Sequence, residues 1–331
     1  MVKARIIGLG SYLPKKILTN ADLEKIVETS DEWIVTRTGI KERRIAEDAE
    51  FTSGMGLAAA EIALHEAGCA PEEIDLILFA TLTPDYLFPS TACLIQKELK
   101  ATRAAALDIQ AACTGYIYGL SIAKAFIESG LYQNILLVAA EKLSSITNYQ
   151  DRTTCVLFGD GACAAVISNR GEGYYISDIN LGSDGEQAGL LMLPAGGCRA
   201  PATAATVAEL QHYIQMDGKE VYKHAVRRME SAAKQCLDAL HLKEEDIDYL
   251  VPHQANIRII EGIAKRFKVP LDRVYLTLDK YGNTSASSIG IALDELVRER
   301  DIALGTRIML IAFGAGFTWG AGILTKGGDN D

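Results

Sequence analysis

The feature that most limits how this chain can fold is that it repeats itself at a constant separation of 173 residues. Glu72-Glu-Ile-Asp-Leu-Ile77 returns as Glu245-Asp-Ile-Asp-Tyr-Leu250, and Asn134-Ile-Leu-Leu-Val-Ala139 returns as Arg307-Ile-Met-Leu-Ile-Ala312 without a gap. Between them the Ala-rich segment Ser53 to Gly68 aligns with Val226 to His241, each a helix-compatible stretch leading to an acidic turn and an apolar run. One short match can arise by chance, but matches in one register point to a duplication. In each half, short Val/Ile/Leu/Ala runs alternate with helical stretches. That pattern predicts an α/β fold of mainly parallel sheets covered by helices, with right-handed crossovers and two related halves packed face to face. The polar, Gly-bearing connection Ser168-Asn-Arg-Gly-Glu-Gly173 sets the boundary, giving halves 1–172 and 173–331. The Gly- and Ala-rich segment from Gly182 to Met216 has no periodicity, and its length suits a functional or covering loop.

Composition narrows the function. With 331 residues, 49% of them hydrophobic and 23% charged, the chain can bury a large core. A net charge of −10 argues against nucleic acid as a partner, because backbone-phosphate binding needs many Lys and Arg facing one polyanion. The seven Cys are scattered without a C-x-x-C pair or a His grouping, so neither a disulfide framework nor a metal site is expected, and a reducing, cytoplasmic setting fits. The apolar run at the N-terminus is too short for a signal-peptide core. The longest apolar stretch, Ile308 to Leu324, is broken by four glycines and reads as two strands joined by a turn, so no membrane span is expected.

The chemistry gathers at turns. Ala105-Ala-Leu-Asp-Ile109 reads as a buried strand, and Gln110-Ala-Ala-Cys113-Thr-Gly115 turns from it into the helical stretch Tyr116 to Ser129. A thiol at a helix start meets unpaired N–H groups and the positive end of the helix dipole, which favour a thiolate nucleophile. The other six Cys lack this placement and read as packing residues. In the second half, the strand Asp248-Tyr-Leu-Val-Pro252 ends at His253, and strand ends are where α/β sites collect. The duplication maps Cys113 onto Ala286, so Gly282-Asn283-Thr-Ser285 occupies the turn equivalent to the nucleophile's. Taken alone, His253 reads as a hydrogen-bonded structural His and Asn283 as a helix cap. Two pseudo-symmetric turns converging on one pocket would make them partners of Cys113. The turn Phe313-Gly-Ala315-Gly316 can bring a backbone N–H beside that of Cys113 as an oxyanion hole.

At these residues the sequence resembles the ketoacyl synthase III family. Ala111-Ala-Cys113-Thr-Gly115, Val251-Pro-His253-Gln-Ala-Asn256, Tyr281-Gly-Asn283-Thr-Ser285 and Phe313-Gly-Ala-Gly-Phe-Thr-Trp-Gly320 match it in order and spacing over almost the whole chain. Supporting segments are Asp31-Glu-Trp33 through Ile40, Asp151-Arg152-Thr-Thr154 and Val156 to Ala162. The resemblance implies a thiolase-like fold with mainly parallel mixed sheets in a layered αβαβα arrangement. It also implies a two-stage reaction that initiates fatty acid synthesis. Cys113 accepts a short acyl group from acyl-CoA, His253 and Asn283 assist loss of carbon dioxide from malonyl-acyl carrier protein, and the product is a 3-oxoacyl-acyl carrier protein. Backbone N–H groups of Cys113 and Ala315 would hold the oxyanion. Ala315 departs from the Gly of many relatives, which a backbone donor tolerates if its φ stays negative. The resemblance further assigns Trp33, Arg37, Arg152 and Asn256 to CoA, and Phe88, Leu143 and Phe313 to the acyl pocket. Phe88 would reach across the interface of a homodimer. Arg258 and Lys265, seven residues apart on the helix after His253, are the expected docking residues for the carrier protein, with Lys219, Lys223 and Arg227 left open. No metal or redox cofactor is required.

Asn283 in place of a second His fits a CoA-primed enzyme rather than an elongating one or a Cys-His-Cys thiolase. Another condensing enzyme of the same fold, with a secondary-metabolite or hydroxymethylglutaryl-type product, is the nearest alternative, and Trp33, Arg37 and Arg152 argue against it. A cysteine hydrolase leaves the duplication without a role, and a nonenzymatic acyl-carrier-binding relative is a further alternative. Acyl-chain preference is not legible in the sequence.

Overall fold

The apolar runs become buried strands, and the Ala- and Leu-bearing stretches between them become helices, in a computed structural model that describes residues 2–328. The first half contains β1 (Arg5–Tyr12), α1 (Asp31–Thr38), α2 (Thr52–Ala67), β2 (Leu76–Ala80), α3 (Thr91–Leu99), β3 (Ala105–Ile109), α4 (Gly115–Glu128), β4 (Asn134–Glu141) and β5 (Gly161–Ser168). The second contains β6 (Gly173–Ser183), α5 (Gly218–Ala239), β7 (Tyr249–Pro252), α6 (Ile257–Arg266), α7 (Ser288–Glu299), β8 (Arg307–Gly314) and β9 (Thr318–Gly327). These strands form one nine-stranded sheet in the order β7-β8-β9-β6-β1-β5-β4-β2-β3, in which β1 pairs with β6 at the seam between the halves.

The 173-residue spacing carries β4 onto β8 and the start of α4 onto the start of α7. Alternation along the strands shows the same symmetry. Ile135, Leu137 and Ala139 of β4 and their equivalents Ile308, Leu310 and Ala312 of β8 all face one central cluster. The intervening residues face opposite outer clusters, Leu136 and Val138 beneath α2 and α3, and Met309 and Ile311 beneath α5 and α6. Helices α4 and α7 pack against strands of both halves, whereas α2 lies on β1, β4 and β5, and α5 lies on β6, β8 and β9. The chain is thus layered helix, sheet, helix, sheet, helix.

Pairing direction departs from the expectation of mainly parallel strands. Parallel pairs are β2 with β3, β2 with β4, and β7 with β8; β1, β5, β6 and β9 are antiparallel to all their sheet neighbours. The cause is that β4 returns to β5, and β8 to β9, without a helical crossover, and such returns give antiparallel pairs. The constant spacing ends at the same place, because residues 142–160 join the first pair and only 315–317 join the second. Among the described residues no helix is long and apolar enough to cross a membrane.

Candidate active site

Cys113 sits where β3 turns into α4. Ala112 holds φ at 45°, in the left-handed region, and the pseudo-equivalent residue Ser285 holds φ at 51° in the turn before α7. These two bends aim the helix starts at each other. Gly115 makes the approach possible, since a Cβ there would stand 3.2 Å from the Cβ of Ala286. Gly314 at the end of β8 crowds Cys113 in the same way: a Cβ would lie 2.8 Å from the Cys113 nitrogen. Thr318 ties these turns together, with its hydroxyl 2.8 Å from that of Thr114 and 3.0 Å from the Ala315 carbonyl oxygen.

His253 follows β7, its backbone N–H donating to the Ile311 carbonyl at 2.7 Å. Its Nδ1 lies 2.6 Å from the Ser288 hydroxyl, which also accepts the Gln254 N–H at 3.4 Å. Burial drives the imidazole pKa down to about 3, so the ring is neutral. A neutral ring has one N–H: with the Ser288 hydroxyl donating to Nδ1, the ring hydrogen sits on Nε2 as a donor, and in the other tautomer Nδ1–H donates to Ser288. Asn283 is held by its backbone between Leu157 and Gly159, and its Oδ1 accepts the Ser285 N–H at 2.9 Å. With that oxygen committed, the Nδ2 group is the one left for a ligand.

Cys113, His253 and Asn283 line one cavity of about 760 Å³. The same wall includes Phe313, Gly314, Asn256 and, toward the mouth, Trp33, Arg37 and Arg258. The Arg37 and Arg152 guanidiniums lie 4.7 and 5.6 Å from the Trp33 ring, which gathers those three residues at the mouth. Asn256 also caps α6, accepting the Arg258 N–H at 2.9 Å. The Gly182–Met216 segment contributes Leu191 and Met216, from strands Leu191–Met192 and Gln215–Met216, to the cavity wall.

Other expected site residues stand elsewhere. Leu143 is buried in the outer core with Val156 and Leu157, behind the wall rather than in it. Phe88 is 85% exposed, flanked by exposed Leu87 and Tyr86, and does not reach the cavity of its own chain. Lys265 borders a separate groove with Tyr222, Lys223 and Arg266, whereas Lys219 and Lys223 join the main wall and Arg227 does not. Ala315 follows the last wall residue, Gly314.

Burial opposes the expected thiolate. Burial pushes the Cys113 thiol up to about 12, and the nearby Glu141 charge adds to the rise. The Ser285 hydroxyl and the residue's own N–H pull the other way without overcoming it. Burial thus works against the ionised thiol that the helix start favours. Sequence reasoning overlooked three groups at this site. Ser285 was quoted only as part of a motif, and Ser288 carries no signal in isolation. Glu141 does leave a trace, as the one charge closing the apolar run Ile135–Ala140.

Comparison with known proteins agrees over the whole chain. The family profile described as 3-oxoacyl-[acyl-carrier-protein (ACP)] synthase III matches residues 107–185, and the profile for its C-terminal part matches residues 237–326. The chain is 61% identical over 326 residues to beta-ketoacyl-[acyl-carrier-protein] synthase III of Chlamydia trachomatis serovar D, covering 98% of this chain and 100% of that one. It is 54% identical to the protein so named from Caldanaerobacter subterraneus, with 98% of each chain covered. The crystal structure of 3-oxoacyl-[acyl-carrier-protein] synthase III from Aquifex aeolicus superposes with a TM-score of 0.90 at 48% identity, covering 97% of this chain and 99% of that one.

Proposed function

The chain belongs to the 3-oxoacyl-[acyl-carrier-protein] synthase III family, and from that premise we propose how its residues divide the work of the condensation that begins fatty acid synthesis. Cys113 attacks the thioester carbonyl of an acyl-CoA primer, CoA leaves, and the acyl group stays on the sulfur. Malonyl-acyl carrier protein then enters. The Nε2–H of His253 and the Nδ2–H of Asn283 donate to its thioester carbonyl and stabilise the enolate formed as carbon dioxide departs. The resulting carbon attacks the acyl-Cys113 carbonyl, whose oxyanion is held by the N–H groups of Cys113 and Ala315. The products are 3-oxoacyl-acyl carrier protein, CoA and carbon dioxide, without a metal or redox cofactor.

The observation that carries this reading is the meeting of a thiol, a neutral imidazole donor and a carboxamide donor in one largely apolar cavity. Trp33, Arg37, Arg152 and Asn256 at the mouth suit adenine stacking and phosphate binding for CoA. Arg258 and Lys265 are exposed on α6 and suit an acidic carrier protein. Phe313 suits the acyl pocket, and the exposed Tyr86-Leu87-Phe88 segment suits a homodimer in which Phe88 completes the partner's pocket. A cytoplasmic setting supplies both thioester substrates.

Incubation with a panel of acyl-CoAs, peptide mass mapping, and then addition of malonyl-acyl carrier protein tests the assignment. Acyl groups are expected on Cys113, with condensation following, and Cys113→Ala should accept none. Equal acylation of Cys113→Ala would remove its role.

A further inference from the structure

Among the described residues Arg43 is the largest side chain that is fully buried. It stands in the short strand Glu42–Ile45, opposite Leu18 of the strand Lys16–Thr19. Its Nη1 donates to the Leu18 carbonyl at 3.2 Å and to Asn20 Oδ1 at 2.8 Å, and its Nη2 donates to the Val156 carbonyl at 2.7 Å. Among the described residues no carboxylate accepts from it and its Nε has no partner. Burial lowers the guanidinium only to about 10, so it stays charged at neutral pH. Burying a charge on neutral acceptors alone is unfavourable, and an apolar side chain of the same volume would fill the space with less penalty. What the guanidinium offers instead is a rigid fork of donors that joins separate segments.

One end of the fork reaches the seat of Asn283. Val156, Leu157 and Phe158 line the cavity, and the Asn283 backbone is clasped behind them, its N–H on the Leu157 carbonyl at 2.8 Å and its carbonyl accepting the Gly159 N–H at 3.0 Å. The stem of Arg43 backs the same clasp: a Cβ on Gly159 or on Gly282 would stand 3.2 Å from the Arg43 Cβ. The other end reaches the mouth. The Asn20 amide that accepts from Arg43 donates at 2.8 Å to the Asp31 carboxylate and to the Ile40 carbonyl, at the start and just past the end of α1, which carries Trp33 and Arg37. The strand itself is stitched to both flanks of the seat, with the Asp160 N–H on the Arg44 carbonyl at 2.8 Å and the Lys41 N–H on the Asp279 carbonyl at 3.1 Å.

We propose that Arg43 is a positioning residue for carbon dioxide loss: it holds the Val156–Gly159 segment against the turn of Asn283, and through Asn20 it fixes that seat relative to the helix at the mouth. The Asn283 Oδ1 is committed to the Ser285 N–H, so the direction of its Nδ2 group follows the backbone of this turn. A donor to an enolate oxygen acts only at hydrogen-bond distance, and a displaced seat weakens it. Cys113 is seated differently, against Gly314 and through the Thr114–Thr318 hydroxyl pair, and Arg43 makes no hydrogen bond to that turn. Its loss therefore falls on one half-reaction.

The proposal rests on Asn283 donating to the malonyl thioester, so Asn283→Ala is measured beside it. Enzyme is acylated at saturating acyl-CoA, the adduct is quantified, and carbon dioxide release from malonyl-acyl carrier protein is then timed. Arg43→Lys keeps the charge but loses the fork; it should acylate at close to the parent rate and release carbon dioxide about 10- to 100-fold more slowly. In the Asn283→Ala background the same substitution should slow release no further, because the donor it positions is gone. If Arg43→Lys does not fold, Asn20→Ala keeps the guanidinium and removes one acceptor, and release is expected to be about 10-fold slower, again only while Asn283 is present. Additive losses in the double variant, equal losses in both half-reactions, or unchanged release from the variant that folds would overturn the positioning role and leave that of Asn283 standing. Release as fast from Asn283→Ala as from the parent would remove both.

Discussion

A neutral imidazole donates from one ring nitrogen, and the proposed role of His253 needs the Ser288 hydroxyl to donate to Nδ1 so that the hydrogen stands on Nε2. Ser288→Ala should release that selection and slow carbon dioxide loss by about 10- to 100-fold, with Cys113 acylation little changed. Separate rate measurements of the two half-reactions check this, and equal losses in both would contradict it. The meeting of Cys113, His253 and Asn283 in one cavity was legible at this scale because each stands in a short motif at a turn. Ser285, Ser288 and Glu141 were not, because their roles arise only where one half packs on the other. Nor was the raised Cys113 thiol, since burial around a turn is not written in the turn's own residues.

Among elements, the two left-handed residues Ala112 and Ser285 swing helices α4 and α7 inward, so that both helix starts meet at one point. A β-branched side chain resists that conformation. Ala112→Val is therefore expected to lower stability by about 1–3 kcal/mol and to slow acylation by displacing Cys113. Chemical denaturation and burst-phase acylation measure the two effects. A variant as stable and as quickly acylated as the parent would show that the bend is not needed. The strands and main helices were legible from periodicity, because each buries a regular stripe. The antiparallel returns of β5 and β9 were not, because nothing in an apolar run states which way its neighbour travels.

For the whole molecule, the duplication made the layering legible: strands β2, β4, β5 and β8 alternate their apolar faces between the central and an outer cluster, while each of the helices α2, α4 and α5 faces one cluster. It also separates the proposed chemistry, with Cys113 in the first half and His253 and Asn283 in the second. Residues 142–160 and the Gly182–Met216 segment break the symmetry, and the latter roofs the cavity through Leu191 and Met216. Phe88 became interpretable only as an exposed residue, since a single chain offers it no pocket. The most direct measurement of the central claim is carbon dioxide release from malonyl-acyl carrier protein by enzyme already acylated on Cys113. His253→Ala and Asn283→Ala should each keep the acyl group on Cys113 yet release carbon dioxide about 10²–10³-fold more slowly; unchanged release from both variants would contradict the account.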